Sequence, residues 1–77
     1  MKSKPYNGYP NWNQWNVSLW LNSDYDLYLT MLECYREAKG NATRAARRLK
    51  ALLPERTPDG ARYSLVAIRG AMTDLED

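Results

Sequence analysis

The chain is predicted to be all-α: a small bundle of about four short helices preceded by an irregular N-terminal arm. Three observations predict it. Apolar residues recur at helical spacing in four successive segments, no stretch shows the period-two alternation of a strand, and glycine, proline and asparagine separate the segments. With 77 residues, the chain is read as one helical domain, 1–77, of a size that hides only about 60% of the surface its unfolded form exposes. Disulfides cannot staple it, because Cys34 is the only cysteine, and the absence of histidine argues against a metal site. Stability must then come from large side chains or from association.

Residues 1–10 hold Pro5, Gly8 and Pro10 with Tyr6 and Tyr9, a composition that turns and extends, so they form the arm. A first helix near 11–22 follows, with Asn11 or Asn13 as its cap and Trp12, Trp15, Leu19 and Trp20 at i, i+3, i+7 and i+8. The "NSD" at 22–24 offers a new cap for a second helix near 24–39, in which Tyr25, Tyr28, Leu29, Leu32 and Tyr35 share a face. Gly40 stops it as a left-handed residue, and Asn41 is suited to cap the third helix, near 41–53. There Ala42, Ala45, Ala46, Leu49, Leu52 and Leu53 face one way, while Arg44, Arg47, Arg48 and Lys50 face others. Pro54 bounds that helix and "PERTPDG" is a loop. A final helix near 61–76 is spaced by Leu65, Ile68, Met72 and Leu75; Thr57 and Pro58 offer one start, and a start near Ser64 is equally open.

Three tryptophans fall within residues 11–21, and at helical spacing such rings are expected to be mostly core. Trp12, Val17, Trp20 and Leu21 nonetheless extend nearly around the helix, which makes it either central or covered by a partner. The intervening Asn11, Asn13 and Asn16 read as cap and turn chemistry. Tyr6 and Tyr9, on the proline-bounded arm, are candidates for external contact or for a lid over the tryptophans.

Eleven basic and nine acidic residues leave a net charge of +2, too little to imply a polyanionic partner by itself. The charge is segregated, however. Arg36, Lys39, Arg44, Arg47, Arg48, Lys50 and Arg56 face only Glu37 and Glu55 across that stretch, while the tail after Met72 is acidic. Tyr6, Tyr9, Arg44, Arg47, Arg48, Lys50 and Arg56 are therefore the expected partner-binding residues, for an acidic surface of protein or of nucleic-acid phosphate. Catalysis is not expected: no pair of carboxylates stands out and no histidine is present, Cys34 lies in an apolar face, and the glycines at 8, 40, 60 and 70 form no phosphate loop. No cofactor is expected either. With no apolar run of membrane-spanning length and no signal-like start, a cytoplasmic protein is expected.

Two resemblances add to this reading. "GNATRAARRL", residues 40–49, resembles the first helix of the helix-turn-helix in factor-for-inversion-stimulation type DNA-binding domains, through Gly40, Asn41, Thr43, Ala45, Ala46 and Leu49. A proline loop follows here where that family has a tight turn and a basic recognition helix. "YNGYPNWNQWNVSLWLNSDYDLY", residues 6–28, resembles the opening of a family of short uncharacterised proteins of bacteriophages and other mobile elements, with Gln14 and Tyr25 where members often carry Thr and an acidic residue. That resemblance implies a phage or prophage origin and action in the cytoplasm of the host cell. The expected role is a non-catalytic inhibitor that binds a host protein or ribonucleoprotein complex stoichiometrically, of the anti-CRISPR, host-defence type. A small DNA-binding regulator is the alternative, and a homodimeric structural protein the third reading, from the excess apolar surface on the first helix.

Overall fold

The computed structural model describes residues 8–73. Four helices follow in order: α1 (Trp12–Ser23), α2 (Tyr25–Glu37), α3 (Ala42–Leu52) and α4 (Leu65–Ala71), with no strand among the described residues. They form an all-α bundle in which α1 packs on α2 and α4, and α3 packs on the same two neighbours. Val17, Leu21, Met31, Leu49, Tyr63, Ile68 and Met72 fill the centre, with Ala38, Ala45, Ala46 and Ala67 letting the helices approach closely.

Each helix starts on a side chain suited to the task. Asn11 accepts the Gln14 N–H at 2.9 Å, Asp24 that of Leu27 at 3.1 Å, Asn41 that of Arg44 at 3.0 Å and Ser64 that of Ala67 at 3.2 Å. These bonds satisfy amide groups that have no partner within the first turn. Asp24 also closes α1, its N–H donating to the Trp20 carbonyl, so a single residue joins α1 to α2. At its far end α2 stops at Glu37, two residues before the expected Lys39, because Lys39 (φ 56) and Gly40 (φ 80) are both left-handed. The Gly40 N–H reaches back to the Tyr35 carbonyl and that of Lys39 to Arg36, each at 3.0 Å, satisfying carbonyls of the last turn.

One expectation is corrected. The tryptophans are not the core: Trp12 is 39% exposed, Trp15 and Trp20 are half-buried, and α1 turns Asn16, Val17, Ser18 and Leu21 inward. Polar side chains take interior positions there because each is bonded. Asn16 pairs with Thr57 and Asp59, and Ser18 with Tyr9 and Asn22. The large indoles sit at the boundary, where the Trp20 N–H finds an acceptor.

Of the starts left open for the last helix the structure takes the later one: Ser64 caps α4, which begins at Leu65 rather than at 61. Residues 55–63 instead double back as a hairpin-like segment, with Tyr63 N–H donating to the Glu55 carbonyl (3.0 Å), Thr57 N–H to Ala61 (2.7 Å) and Gly60 N–H to Thr57 (2.9 Å). An isolated antiparallel bridge pairs Arg56 with Arg62. Pro58 sets the turn and Gly60 takes the left-handed position (φ 96) that returns the chain. Ala61 and Tyr63 are thereby buried from an extended segment rather than from a helix. The end expected at 76 lies outside the described residues.

Candidate interaction surface

The sequence-predicted partner residues fall into two groups once their contacts are read. On α3, Ala42, Ala45, Ala46 and Leu49 point into the core. Arg44 and Arg47 stand on the opposite face, exposed, with no ion pair or side-chain hydrogen bond to any described residue. Both sit on a helix whose other face is anchored in the core.

The others are engaged within the chain. Arg48 Nη1 bonds Glu37 Oε1 on α2 at 3.0 Å, an ion pair about half exposed on both sides, which contributes little to stability. Lys50 Nζ donates to the Tyr63 carbonyl at 3.0 Å, fastening α3 to the segment before α4. Arg56 Nη1 donates to the Gly60 carbonyl at 3.0 Å and braces the hairpin turn. Tyr9 is half-buried, its hydroxyl 2.6 Å from Ser18 Oγ, so it lies back against α1. Tyr6 lies outside the described residues.

A polar cluster that the sequence reading missed joins α1 to the hairpin. Thr57 Oγ1 donates to Asn16 Oδ1 at 2.7 Å and accepts the Ala61 N–H at 3.0 Å. Asn16 Nδ2 and Trp20 Nε1 both donate to Asp59 Oδ2, each at 2.9 Å. These bonds, Asn16 first and Trp20 second, hold the Asp59 carboxyl below its ordinary 3.8. Asn13 grips the Arg62 backbone in both directions, its Oδ1 accepting the N–H at 2.7 Å and its Nδ2 donating to the carbonyl at 2.9 Å. The asparagines spaced three apart in "NWNQWN" are thus docking groups, and only Asn11 is a cap. The sole sequence signal was that spacing, which sets two amides on one side of a helix.

Chemistry is sparse among the described residues. No three His, Cys, Asp or Glu side chains lie close enough to hold a metal ion. Cys34 is buried, and burial, followed by the nearby Glu37 carboxylate, raises its thiol above the ordinary 9.0, with Arg48 opposing. A protonated, inaccessible thiol is a poor nucleophile. An open depression of about 270 Å³ between α1 and α4 is lined by Gln14, Val66, Arg69, Gly70 and Thr73, with no clustered acid, base or nucleophile. No described helix is long and apolar enough to cross a membrane.

A family model described as a family of unknown function (DUF7249) matches residues 2–77. No curated protein and no solved structure matches the chain.

Proposed function

For a chain that belongs to this family of unknown function, we propose a role in stoichiometric binding: a small all-α module that engages a protein component of a host complex through the arginine face of α3. The observation that carries this reading is the division among the basic residues. Lys50 and Arg56 brace the fold and Arg48 is paired with Glu37, whereas Arg44 and Arg47 have no ion pair or side-chain hydrogen bond with any described residue. Guanidinium groups on a helix, one turn apart and more weakly hydrated than an ammonium, are favoured anchors for an acidic protein surface. The resemblance of residues 6–28 to phage and mobile-element proteins supplies the biological half of the proposal, a phage-encoded inhibitor of a host-defence complex of the anti-CRISPR kind acting in the host cytoplasm.

DNA binding is the second reading, favoured by the match of Gly40 to Leu49 to a helix-turn-helix first helix. Its geometry is unlike that motif's: residues 53–64 separate α3 from α4, against a turn of about three or four residues in a helix-turn-helix, and α4 holds Arg69 as its one basic residue.

The test is a tagged pull-down from host lysate, with and without nuclease, followed by reconstitution with the purified target. A defined protein complex that survives nuclease and is lost in Arg44→Glu/Arg47→Glu supports the proposal. Recovery that depends on nucleic acid, with binding that falls steeply as salt rises, overturns it in favour of the DNA reading.

A further inference from the structure

Asp59 is the only aspartate in the sequence that precedes a glycine. In that pairing a side-chain carboxyl and the next backbone amide combine most readily, because glycine has no Cβ to crowd the approach. Both residues lie exposed at the turn of the 55–63 hairpin, and a Cβ placed on Gly60 would meet no atom beyond its chain neighbours within 4 Å. Nothing packs over that side of the turn.

The fold opposes the reaction at both reacting groups. Asp59 Oδ2 accepts from Asn16 Nδ2 and Trp20 Nε1, each at 2.9 Å, which ties the carboxylate to α1 and keeps it from swinging onto the next amide. Asn16 is itself fixed by the Thr57 hydroxyl at 2.7 Å. The Gly60 N–H donates to the Thr57 carbonyl at 2.9 Å, which retains the proton that the nitrogen must lose to act as a nucleophile. The donors from α1 also favour the ionised carboxyl, whereas the neutral acid is the form that releases water.

We propose that Asp59 and Gly60 form a latent site of succinimide formation and isomerisation, held shut by the Asn16 and Trp20 donors and opened when the hairpin parts from α1. Once open, the Gly60 nitrogen attacks Asp59 Cγ, its proton passes to solvent and the Cγ hydroxyl leaves as water, closing a five-membered ring. Water then adds to one of the two ring carbonyls. Addition at Cγ breaks the new bond and restores aspartate. Addition at the backbone carbonyl breaks the original peptide bond and leaves the chain joined through Cγ, an iso-aspartyl linkage. One water is lost and one regained, with no change of oxidation state. The iso-aspartyl backbone is longer by a methylene, and its free carboxylate hangs from Cα, out of register with Asn16 and Trp20. A chain whose hairpin has stayed open is thereby marked. Arg44 and Arg47 take no part, and the chemistry needs no partner.

Prolonged incubation of the full chain at neutral pH, followed by trypsin, tests the proposal. Cleavage after Arg56 and Arg62 isolates residues 57–62, whose aspartyl and iso-aspartyl forms have equal mass and separate by reversed-phase chromatography. The chain unfolded in guanidinium chloride should isomerise at Asp59, and the native chain at least about tenfold more slowly, because the clamp must open first. Trp20→Phe, which keeps a ring but loses the donor, and Asn16→Ala should each speed the native reaction by about threefold to tenfold, the change in open population that one net hydrogen bond carries. Gly40→Ala, which weakens the remote turn between α2 and α3, should stay within about twofold of the parent. Absence of iso-aspartate in the unfolded chain, a native rate equal to the unfolded one, variants at the parent rate, or Gly40→Ala as fast as Trp20→Phe each overturns the inference. Should Asn16→Ala fail to fold, Trp20→Phe decides alone.

Discussion

Asn13 stands toward Arg62 as a neighbouring strand would, accepting its N–H at 2.7 Å and returning a donor to its carbonyl at 2.9 Å, across 49 residues of sequence. A helix side chain thus completes the pairing of a segment that has no sheet to join. One turn further on, Asn16 repeats the tactic on Thr57 and Asp59.

These two amides should differ in cost when removed. Asn13→Ala exposes backbone groups that water reaches, and should lower unfolding free energy by about 1 kcal/mol. Asn16→Ala leaves the buried Thr57 hydroxyl without its acceptor, and should cost about 2–3 kcal/mol. Denaturant midpoints at constant slope measure both, and an equal loss at the two positions would contradict the difference in burial.

Asp59 should leave its mark on the acid limb of stability. Its folded pKa is held below the ordinary 3.8 by the Asn16 and Trp20 donors. A depressed carboxylate contributes stability that is present above the unfolded value and is lost as pH falls through the folded one. Thermal melts from pH 7 downward should therefore show a decline beginning near that value, and Asp59→Asn should be less stable at pH 7 with a flatter acid limb. An Asp59→Asn profile parallel to that of the parent chain would remove this assignment.

The basic residues should separate by phenotype. Arg44→Glu/Arg47→Glu should leave stability within about 0.5 kcal/mol of the parent, as exposed surface positions do. Lys50→Met retains the stem but loses the bond to the Tyr63 carbonyl, and should cost about 1 kcal/mol. Chemical denaturation of the two variants side by side makes the comparison.

The turn after α2 should respond oppositely at adjacent residues. Lys39 pays for a left-handed backbone that glycine adopts freely, so Lys39→Gly should raise stability by about 0.5 kcal/mol after the larger unfolded-state entropy of glycine is counted. Gly40→Ala, at φ 80, should lower it by about 1 kcal/mol. A shift in thermal midpoint of the same sign for both would contradict this backbone assignment.

What was legible in the sequence was local. Asn11, Asp24, Asn41 and Ser64 announce helix starts because a cap is a bond between residues two or three apart, and α3 shows its buried stripe because alanine and leucine fall on one face. The first helix gave no such stripe. With apolar residues nearly all round, its inward side is chosen by Asn16 and Ser18 and by partners 41 and 43 residues away in the case of Asn16, which no local pattern records. The same blindness applies to the candidate site. Arg44 and Arg47 follow from helix periodicity, whereas Lys50 and Arg56 look equally free until Tyr63 and Gly60 are seen beneath them.

The clamp between α1 and the 55–63 hairpin has a consequence for biosynthesis. Synthesis runs from the N-terminus at about 5–20 residues per second. Asn16 precedes Asp59 by 43 residues, and so waits roughly 2–9 seconds at that speed for its partner to be translated. During that interval Asn16 and Trp20 on α1 have neither Thr57 nor Asp59 to bond. The clamp on α1 therefore closes only once the 55–63 hairpin has been made, so a slow stretch of codons between α3 and the hairpin would lengthen the time that α1 spends without it.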